Sequence, residues 1–362
     1  MGIKIKKVLH LPTSVGGMPW ALAQGERSLG LDSHVLYRNS NWINYPCDMN
    51  LNLDKVSSKF EISKRLLSTF FSIRNKFDVF HFNYGSSLFN HQKIPIAQAD
   101  LPFYPSRAKL FVTYNGCDAR QKFATMAQKK ISACHDPKCY SGICNSGKMD
   151  IIKRKQIAKM AKYVHHIWAV NPDLLYFLPK DKSSFLPYLV NMDNMKIAKP
   201  DFRKNKLKVI HASTDRFAKG SEIILTAMEY IQKAKGCDVE VKFIEKIPHE
   251  QAINIYKQAD LIIDQILIGW YGGFAVEAMS MGKPVICRIA EEDLHFIPKK
   301  MAIDVKDAFI NANPANIKEV ILRCIEDRLF LKDKSEAAIE YARTWHNPNY
   351  VAGITKQVYE NF

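Results

Sequence analysis

Residues 269–285, GWYGGFAVEAMSMGKPV, combine a pair of glycines with a single carboxylate on an otherwise small and apolar stretch. Gly272 and Gly273 precede a predicted helix, whose unpaired N-terminal N–H groups and positive dipole end favour a phosphate group. One turn further on, Glu277 needs a hydroxyl or cationic partner if it is buried. The pattern predicts a diphosphate site beside a carboxylate that can hold ribose hydroxyls. A simple bend, with Glu277 paired to a surface lysine, is the alternative.

Three cysteines occur at regular spacing in a short polar insert. Cys134, Cys139 and Cys144 form the pattern C-x4-C-x4-C, with His135 next to the first and Cys117 upstream. This number of sulfur and imidazole ligands suffices for tetrahedral zinc, although the spacing is looser than in a zinc ribbon. A polar segment with few apolar residues cannot form a hydrophobic core of its own, so a bound metal ion would stabilise its fold. A structural zinc site and free thiols in a loop are therefore both open.

Strands that alternate with helix-length segments must position these residues. The apolar runs of the first half are KKVLHLP, SHVLY, FDVFHF, KLFVTY and HHIWAV, and the rhythm restarts after Lys204 with LKVIHAST, VEVKFIE, DLIIDQ and KPVICRI. Such alternation predicts two parallel sheets, each covered by helices on both faces. We expect one domain over residues 1–185, a second over 186–345, and a last helix over 346–362 that packs back on the first domain.

Ligands of α/β proteins gather at the carboxyl ends of parallel strands and in clefts between domains. His81 and Asn83 end the predicted strand FDVFHFN, so we expect them to line such a cleft. The other histidines on or beside predicted strands are expected to be hydrogen-bonded structural residues: His10, His34, His165 and His166.

Length and composition indicate a globular protein of two domains. The chain has 362 residues, more than the roughly 250–300 at which a single core stops growing. It contains no apolar run of about 18 residues that could span a bilayer. The N-terminus MGIKIKKVLHLP lacks the apolar core of a signal peptide, and eight cysteines are too sparse for a disulfide scaffold. We expect a cytoplasmic protein with reduced thiols.

The positive charge is concentrated in the first half of the chain. Up to Leu175 there are 25 Lys and Arg against 11 Asp and Glu, a net +14, whereas the remainder has 27 against 25, a net +2. Such a field attracts phosphates of nucleic acid, of an anionic membrane leaflet or of a phosphorylated substrate. No Arg-rich or aromatic-basic RNA motif accompanies the charge, so we do not expect a nucleic-acid partner.

Several segments, in their order along the chain, together resemble a known family. These are the first strand and turn with Gly16-Gly17, the turn TYNGCDAR, the stretch AVNPDLLYFLP, the loop HASTDRFAKGSEIILTAMEYI and the helix that contains Glu277. Their order and spacing are similar to those of retaining GT-B glycosyltransferases with the E-x7-E signature. The resemblance implies two Rossmann-like, doubly wound domains that face each other across a cleft, and a nucleotide-sugar donor bound by the C-terminal one.

The resemblance also assigns roles to individual residues. Arg216 and Lys219 match the basic pair that neutralises the donor diphosphate. The residues assigned to donor binding are Gly16, Gly17, Gly272, Gly273, Phe274 and Glu277. A departing diphosphate develops negative charge, which preorganised cations can absorb. The chain contains no Asp-x-Asp, the metal motif of GT-A enzymes, so we expect catalysis without a metal or other cofactor. Two solvated surface charges are the alternative for Arg216 and Lys219.

Two positions depart from the family pattern. Gly269 stands where the family has the first glutamate of its signature, which holds a donor-sugar hydroxyl. Asn115 replaces the histidine of the His-Gly-x-Asp turn and can bind a sugar but cannot act as an acid or base near neutral pH. Asp118 and Arg120 remain in this turn as candidates for positioning acceptor or donor, and we count Asp118 among the catalytic candidates.

The expected function is transfer of a sugar from a nucleoside-diphosphate donor to a glycan or lipid-phosphate-linked acceptor, with retention of configuration. In such enzymes the N-terminal domain holds the acceptor, and the basic first half suits an acceptor at an anionic membrane surface. Two alternatives stay open. The departures at Gly269 and Asn115 are compatible with a sugar-nucleotide-binding protein without turnover, and sugar-nucleotide epimerases also occur on GT-B folds.

Overall fold

The computed structural model describes residues 6–40, 45–91, 97–190, 195–235, 239–245 and 247–362. The chain divides into two compact units, which we call unit 1 and unit 2. Unit 1 contains residues 1–121, 150–191 and 347–362, and unit 2 contains residues 122–149 and 192–346. In the part of the chain that is described, no helix is long and apolar enough to cross a membrane.

Unit 1 is built on a seven-stranded parallel sheet with the strand order β3-β2-β1-β4-β5-β6-β7. Its strands are β1 (Lys7–Leu11), β2 (Asp32–Tyr37), β3 (Met49–Asn50), β4 (Val79–Asn83), β5 (Lys109–Tyr114), β6 (His166–Ala169) and β7 (Ser183–Phe185). Its helices are α1 (Met18–Ser28), α2 (Lys59–Ile73), most of α4 (Lys148–Tyr163) and α12 (Pro348–Glu360). The central strands are buried on both faces over almost their whole length, as expected for a sheet covered by helices.

The C-terminal helix α12 completes the core of unit 1. Its residues Val351, Ala352 and Tyr359 are fully buried in the same cluster as β-strand residues of this unit. Gly25 of α1 allows the close approach, because a Cβ atom there would lie 2.6 Å from the carbonyl oxygen of Pro348. The last helix thus belongs to the unit formed by the first part of the chain.

Unit 2 is built on a five-stranded parallel sheet with the order β12-β11-β10-β8-β9. Its strands are β8 (Leu207–Ser213), β9 (Val239–Glu245), β10 (Leu261–Ile263), β11 (Val285–Cys287) and β12 (Phe309–Asn311). Its helices are α3 (Lys122–Gln128), α5 (Arg216–Lys219), α6 (Ser221–Lys235), α7 (His249–Tyr256), α8 (Gly273–Ser280), α9 (Lys299–Ala308), α10 (Ile317–Glu326) and α11 (Arg328–Trp345). The two parallel α/β domains predicted from the sequence are both present.

The polar insert at residues 122–149 groups with unit 2, whereas the sequence-based division placed it in the N-terminal domain. Lys129 explains this grouping, because its buried ammonium forms an ion pair with the buried carboxylate of Asp293. At the other end of the insert, the backbone N–H of Tyr140 donates to Asp215 over 3.2 Å. These contacts join residues far apart in sequence, which a local pattern does not reveal.

Candidate functional site

A cation and a helix N-terminus meet in unit 2 on one buried carboxylate. Asp264 follows β10, and Lys219 ends the short helix α5 that follows β8. Lys219 Nζ lies 2.6 Å from Asp264 Oδ1, and the N–H of Gly272, before α8, donates to Asp264 Oδ2 over 2.9 Å. Asp264 is fully buried, while 13% of the Lys219 side chain is exposed. The carboxylate therefore fixes the ammonium group and the helix N-terminus at one place.

Arg216, the second predicted cation, is held by acidic partners of its own. Its guanidinium binds Glu245 at the end of β9 through Nε and Nη2, at 2.9 and 2.8 Å, and Nη1 lies 3.2 Å from Glu222. The group also stacks 4.7 Å from the ring of Phe243. In this arrangement two carboxylates balance the charge of Arg216. The structure thus places Arg216 and Lys219 on the same short helix, but with different partners.

Glu277 lies on α8 and is buried, and its partner is a histidine that the sequence did not single out. His249 Nε2, at the start of α7, lies 2.6 Å from Glu277 Oε1. The hydrogen bond to Glu277 raises the pKa of His249, against the effect of partial burial. Phe274 packs beside this pair: its ring centroid lies 4.6 Å from that of Tyr256 and 5.0 Å from Lys219 Nζ. Gly273 is the first residue of α8.

Gly269 has a physical reason to be glycine. Its φ is +90°, a conformation that other residues rarely adopt. A Cβ atom at this position would lie 2.8 Å from Nη1 of Arg288. A glutamate here would therefore strain the backbone and displace a guanidinium group that is mostly buried. A tight turn against Arg288 therefore stands at the position where the resemblance led us to expect a glutamate.

In unit 1, hydrogen bonds to the side chain of Asp118 stabilise the turn after β5, in which this residue lies. The carboxylate of Asp118 accepts hydrogen bonds from the backbone N–H groups of Asn115, at 3.0 Å, and Gly116, at 2.6 Å. Burial raises the pKa of Asp118 to about 6, although these two donors oppose the shift. The Asn115 side chain accepts a hydrogen bond from the N–H of Tyr84 and contacts Met18. The structure thus brings the turn close to the end of β4 and the start of α1.

The guanidinium group of Arg120 is engaged by a buried carboxylate. It forms a bidentate ion pair with Asp173: Nε donates to Oδ2 over 2.6 Å and Nη2 donates to Oδ1 over 2.8 Å. Both side chains are at most 10% exposed. The backbone carbonyl of Arg120 accepts a hydrogen bond from Lys153. The contact fastens the turn after β5 to the segment after β6, so we reassign Arg120 to holding the turn in place.

Gly16 and Gly17 form a tight loop between β1 and α1, with φ values of +56° and +70°. A Cβ atom on Gly16 would lie 1.6 Å from the hydroxyl oxygen of Tyr188, and one on Gly17 would lie 2.8 Å from the ring of Tyr45. Two tyrosines therefore occupy the space that the glycines leave. The loop is close-packed at the carboxyl end of β1, where the resemblance placed a ligand.

His81 and Asn83 lie inside the core of unit 1 rather than at a ligand surface. His81 is fully buried, with Nδ1 2.6 Å from the hydroxyl of Tyr359 and Nε2 2.6 Å from Thr113 Oγ1. Burial lowers the pKa of His81 well below its usual value, and so does the nearby His10. Asn83 is 1% exposed and donates to backbone carbonyls. The expectation that these two residues line a cleft is not met, because α12 covers this part of the sheet.

Among the described residues, the cysteines of the predicted zinc site form no disulfide bond. Within the described ranges, the ligand atoms of three or more His, Cys, Asp or Glu side chains approach within 4.8 Å of one another at one place, formed by His10, Glu26 and His81. Cys134, Cys139 and Cys144 are partly exposed in the insert, and His135 Nε2 lies 2.8 Å from the carbonyl oxygen of Lys129. Zinc binding at these cysteines stays a prediction.

Three residues near these sites were not identified from the sequence. Asp264 had a usable signal, since it is the polar residue that directly follows an apolar strand. His249 had none, because its partner Glu277 is 28 residues away. Tyr84 is a partly exposed residue with φ +58°, a strained conformation that only a structure reveals and that often marks functional positions.

The comparisons with known proteins identify the fold. No protein-family model and no curated protein matches the sequence. The structure is similar to sucrose-phosphate synthase from Thermosynechococcus elongatus, with 15% identity, a TM-score of 0.66 and coverage of 98% of this chain and 99% of that one. It is also similar to a glycosyltransferase from Rickettsia africae, with 16% identity, a TM-score of 0.61 and coverage of 99% of each chain.

A third similar structure is Anabaena HepE in complex with UDP-glucose, with 13% identity, a TM-score of 0.60, and coverage of 99% of this chain and 100% of that one. A protein described as a UDP-N-acetylglucosamine 2-epimerase from Listeria monocytogenes matches at 12% identity and a TM-score of 0.53, over 99% of this chain and 98% of that one. The chain therefore has the GT-B fold, with two parallel-sheet α/β domains.

Proposed function

We propose that this GT-B protein is a glycosyltransferase that takes its sugar from a nucleoside-diphosphate donor held by unit 2. One observation carries the proposal: Lys219, the N-terminus of α8 and Glu277 lie together at the carboxyl ends of β8 and β10. A cation and a helix N-terminus suit a diphosphate, and a buried carboxylate one turn further suits ribose hydroxyls. The similarity to a protein in complex with UDP-glucose supports this donor class.

In this proposal Asp264 positions Lys219. An ammonium group has three donors, and Asp264 accepts one of them at 2.6 Å. The remaining donors can bind the donor phosphates while the buried carboxylate keeps the group in place. Arg216 would contribute once a diphosphate replaces Glu245 or Glu222 as its partner. Both cations would then stabilise the negative charge that develops on the leaving nucleotide.

The proposed reaction is a front-face transfer with retention of configuration. The bond between the anomeric carbon and the phosphate oxygen breaks, and the acceptor hydroxyl forms its bond to the same face of that carbon. The hydroxyl proton moves to the departing phosphate oxygen, so no covalent enzyme intermediate is needed. Unit 1 would bind the acceptor through the turn that contains Asn115 and Asp118, and cations rather than a metal would absorb the leaving-group charge.

The test is incubation with a panel of nucleotide sugars, with analysis of every product. Transfer or slow donor hydrolysis supports the proposed enzyme, and the anomeric configuration of the product tests retention. An isomerised free donor would instead indicate an epimerase, the alternative that the similarity to the Listeria protein favours. Tight binding of a donor without turnover would indicate a binding protein.

Two further parts of the proposal have their own measurements. EDTA should leave turnover intact, and an activity that requires added Mg²⁺ or Mn²⁺ would contradict the metal-independent mechanism. Elemental analysis decides between the two alternatives for the cysteines. A structural zinc site requires about one zinc per chain, whereas less than about a tenth of an equivalent would leave free thiols.

A further inference from the structure

Helix α2 of unit 1 exposes large apolar side chains. Phe60, Leu67 and Phe71 are 78%, 47% and 63% exposed, respectively. Their spacing of seven and four residues places them along one side of the helix. We call these three residues the α2 stripe. The helix is anchored to its unit through other residues, which are buried: Ile62, Leu66, Phe70 and Ile73.

Basic residues surround the α2 stripe. Residues 55–76 contain six Lys and Arg and one acidic residue, Glu61, a net charge of +5. Glu61 is already paired with Arg65 at 2.9 Å. Lys64 is exposed and lies between Phe60 and Leu67 on the same side of the helix. The surface therefore combines protruding apolar groups with an excess of positive charge.

A loop beside α2 adds one more exposed aromatic residue. Phe103 is 61% exposed, and the next residue, Tyr104, packs 5.1 Å from the ring of Phe70 on α2. Arg107 of the same loop donates to the backbone carbonyl of Asn75 over 2.6 Å, just beyond the end of α2. The loop is thus fixed to the helix, and it adds both an aromatic group and a cation to this region.

We propose that the α2 stripe and its basic surroundings form a docking surface for an anionic lipid bilayer. Aromatic and leucine side chains can enter the boundary between headgroups and acyl chains, while Lys and Arg bind anionic headgroups. Charge complementarity favours this partner. An uncharged protein surface could cover the apolar α2 stripe, but it would not neutralise the positive charge around it. The proposal does not rest on the proposed sugar transfer, since lipid binding requires neither donor nor acceptor.

The experiment is co-sedimentation of the full chain with two kinds of vesicle. One contains phosphatidylcholine alone, and the other contains equal parts of phosphatidylcholine and phosphatidylglycerol. We expect binding to the second kind only, and weaker binding as salt is raised from low to physiological concentration. Replacing Phe60, Leu67 and Phe71 by serine together should lower the partition coefficient at least about tenfold without changing the net charge.

The charge contribution is tested separately. Lys59→Glu with Lys64→Glu should lower binding by at least about fivefold per residue, the equivalent of roughly 1 kcal/mol each. The matched control is Lys299→Glu with Lys332→Glu, which changes the net charge equally at exposed positions of unit 2. Ile303→Ser with Leu329→Ser, at positions 64% and 74% exposed, is the control for the apolar substitutions. Thermal unfolding of every variant confirms that it remains folded.

Three outcomes would overturn the proposal. The first is equal recovery of wild-type protein with both vesicle types, and the second is loss of binding in the unit 2 controls to the same extent as in the α2 variants. The third is a wild-type dimer in light scattering that becomes monomeric in the serine variant, with no vesicle binding. That last result would assign the α2 stripe to a second copy of the chain.

Discussion

Two polar clusters near the carboxyl ends of parallel strands differ in what they leave for a ligand. In unit 1, His10 and His81 are neighbours on β1 and β4 and join Glu26 of α1, all fully buried. Glu26 binds His10, and it also accepts hydrogen bonds from Ser33 and from Thr355 of α12. In unit 2, Lys219 and Asp264 form a smaller cluster in which 13% of the Lys219 side chain remains exposed.

The comparison shows that residue type alone does not distinguish a structural cluster from a binding site. Histidines and a glutamate beside strand ends are common catalytic groups, yet here they connect β1, α1 and α12 within the core. The decisive property is burial, because His10, Glu26 and His81 are fully enclosed in the core and present no surface to a substrate. We therefore expect substitutions in the unit 1 cluster to lower the stability of the fold, and substitutions in the unit 2 cluster to lower turnover or donor binding.

The largest expected effect is on stability. Glu26→Ala removes the acceptor of three buried donors, on His10, Ser33 and Thr355. Each buried group left unsatisfied costs about 1–3 kcal/mol, so we expect a loss of at least about 3 kcal/mol. Thermal unfolding measures it, and the exposed Glu360→Ala on α12 should cost no more than about 0.5 kcal/mol. Nucleotide affinity of folded Glu26→Ala should equal that of wild type; a selective loss of affinity would place this cluster in the site.

The second effect is on turnover. Lys219→Ala should lower kcat at least about hundredfold, because loss of one stabiliser of developing charge raises the barrier by roughly 3–4 kcal/mol. Steady-state kinetics with the donor identified from the panel provides the measurement, and Lys332→Ala, an exposed lysine of unit 2, is the control. Arg216→Ala tests whether the donor diphosphate replaces Glu245 and Glu222 as the partner of Arg216. A loss of kcat comparable to that of Lys219→Ala would indicate that it does. Wild-type turnover in Lys219→Ala would refute the donor assignment.

The third effect is on donor binding. Glu277→Ala should raise the donor KM about tenfold or more with little change in kcat, because charged hydrogen bonds to hydroxyls contribute roughly 1.5–3 kcal/mol. Glu277→Gln, which can still accept a hydrogen bond, should recover part of the affinity. If both variants instead lost kcat and kept KM, Glu277 would act on the transition state rather than on the ribose.

The smallest effect is a pH dependence of stability in unit 2. The hydrogen bond to Glu277 raises the pKa of His249 on folding. The contact should therefore stabilise the folded state fully below about pH 6.5, and this stabilisation should disappear as the pH rises through the raised value. Because His249 is partly exposed, we expect less than about 1 kcal/mol. The difference in unfolding temperature between wild type and His249→Gln, followed over pH, should shrink as pH rises; a constant difference would contradict this account.

The fold and the unit 2 site were predictable to different degrees from the sequence. Strand runs and the Gly272-Gly273 helix start are local patterns, so the parallel sheets and the position of Glu277 on α8 could be predicted. The burial of His81 depends on Tyr359, 278 residues away, and Lys129 pairs with Asp293, 164 residues away. Such contacts leave no local signal. For the same reason, the ion pair of Arg120 with Asp173 was not foreseen.

Calorimetric titration of UDP, ADP and GDP into wild-type protein and into Lys219→Ala tests the central claim most directly. Our account predicts that at least one of these diphosphates binds wild-type protein at one site per chain. It also predicts that Lys219→Ala weakens this binding at least about tenfold, whereas the corresponding nucleoside, which lacks phosphate, binds both proteins equally weakly. Equal diphosphate affinity for the two proteins, or no binding of any of the three to wild type, would contradict the assignment of the unit 2 site.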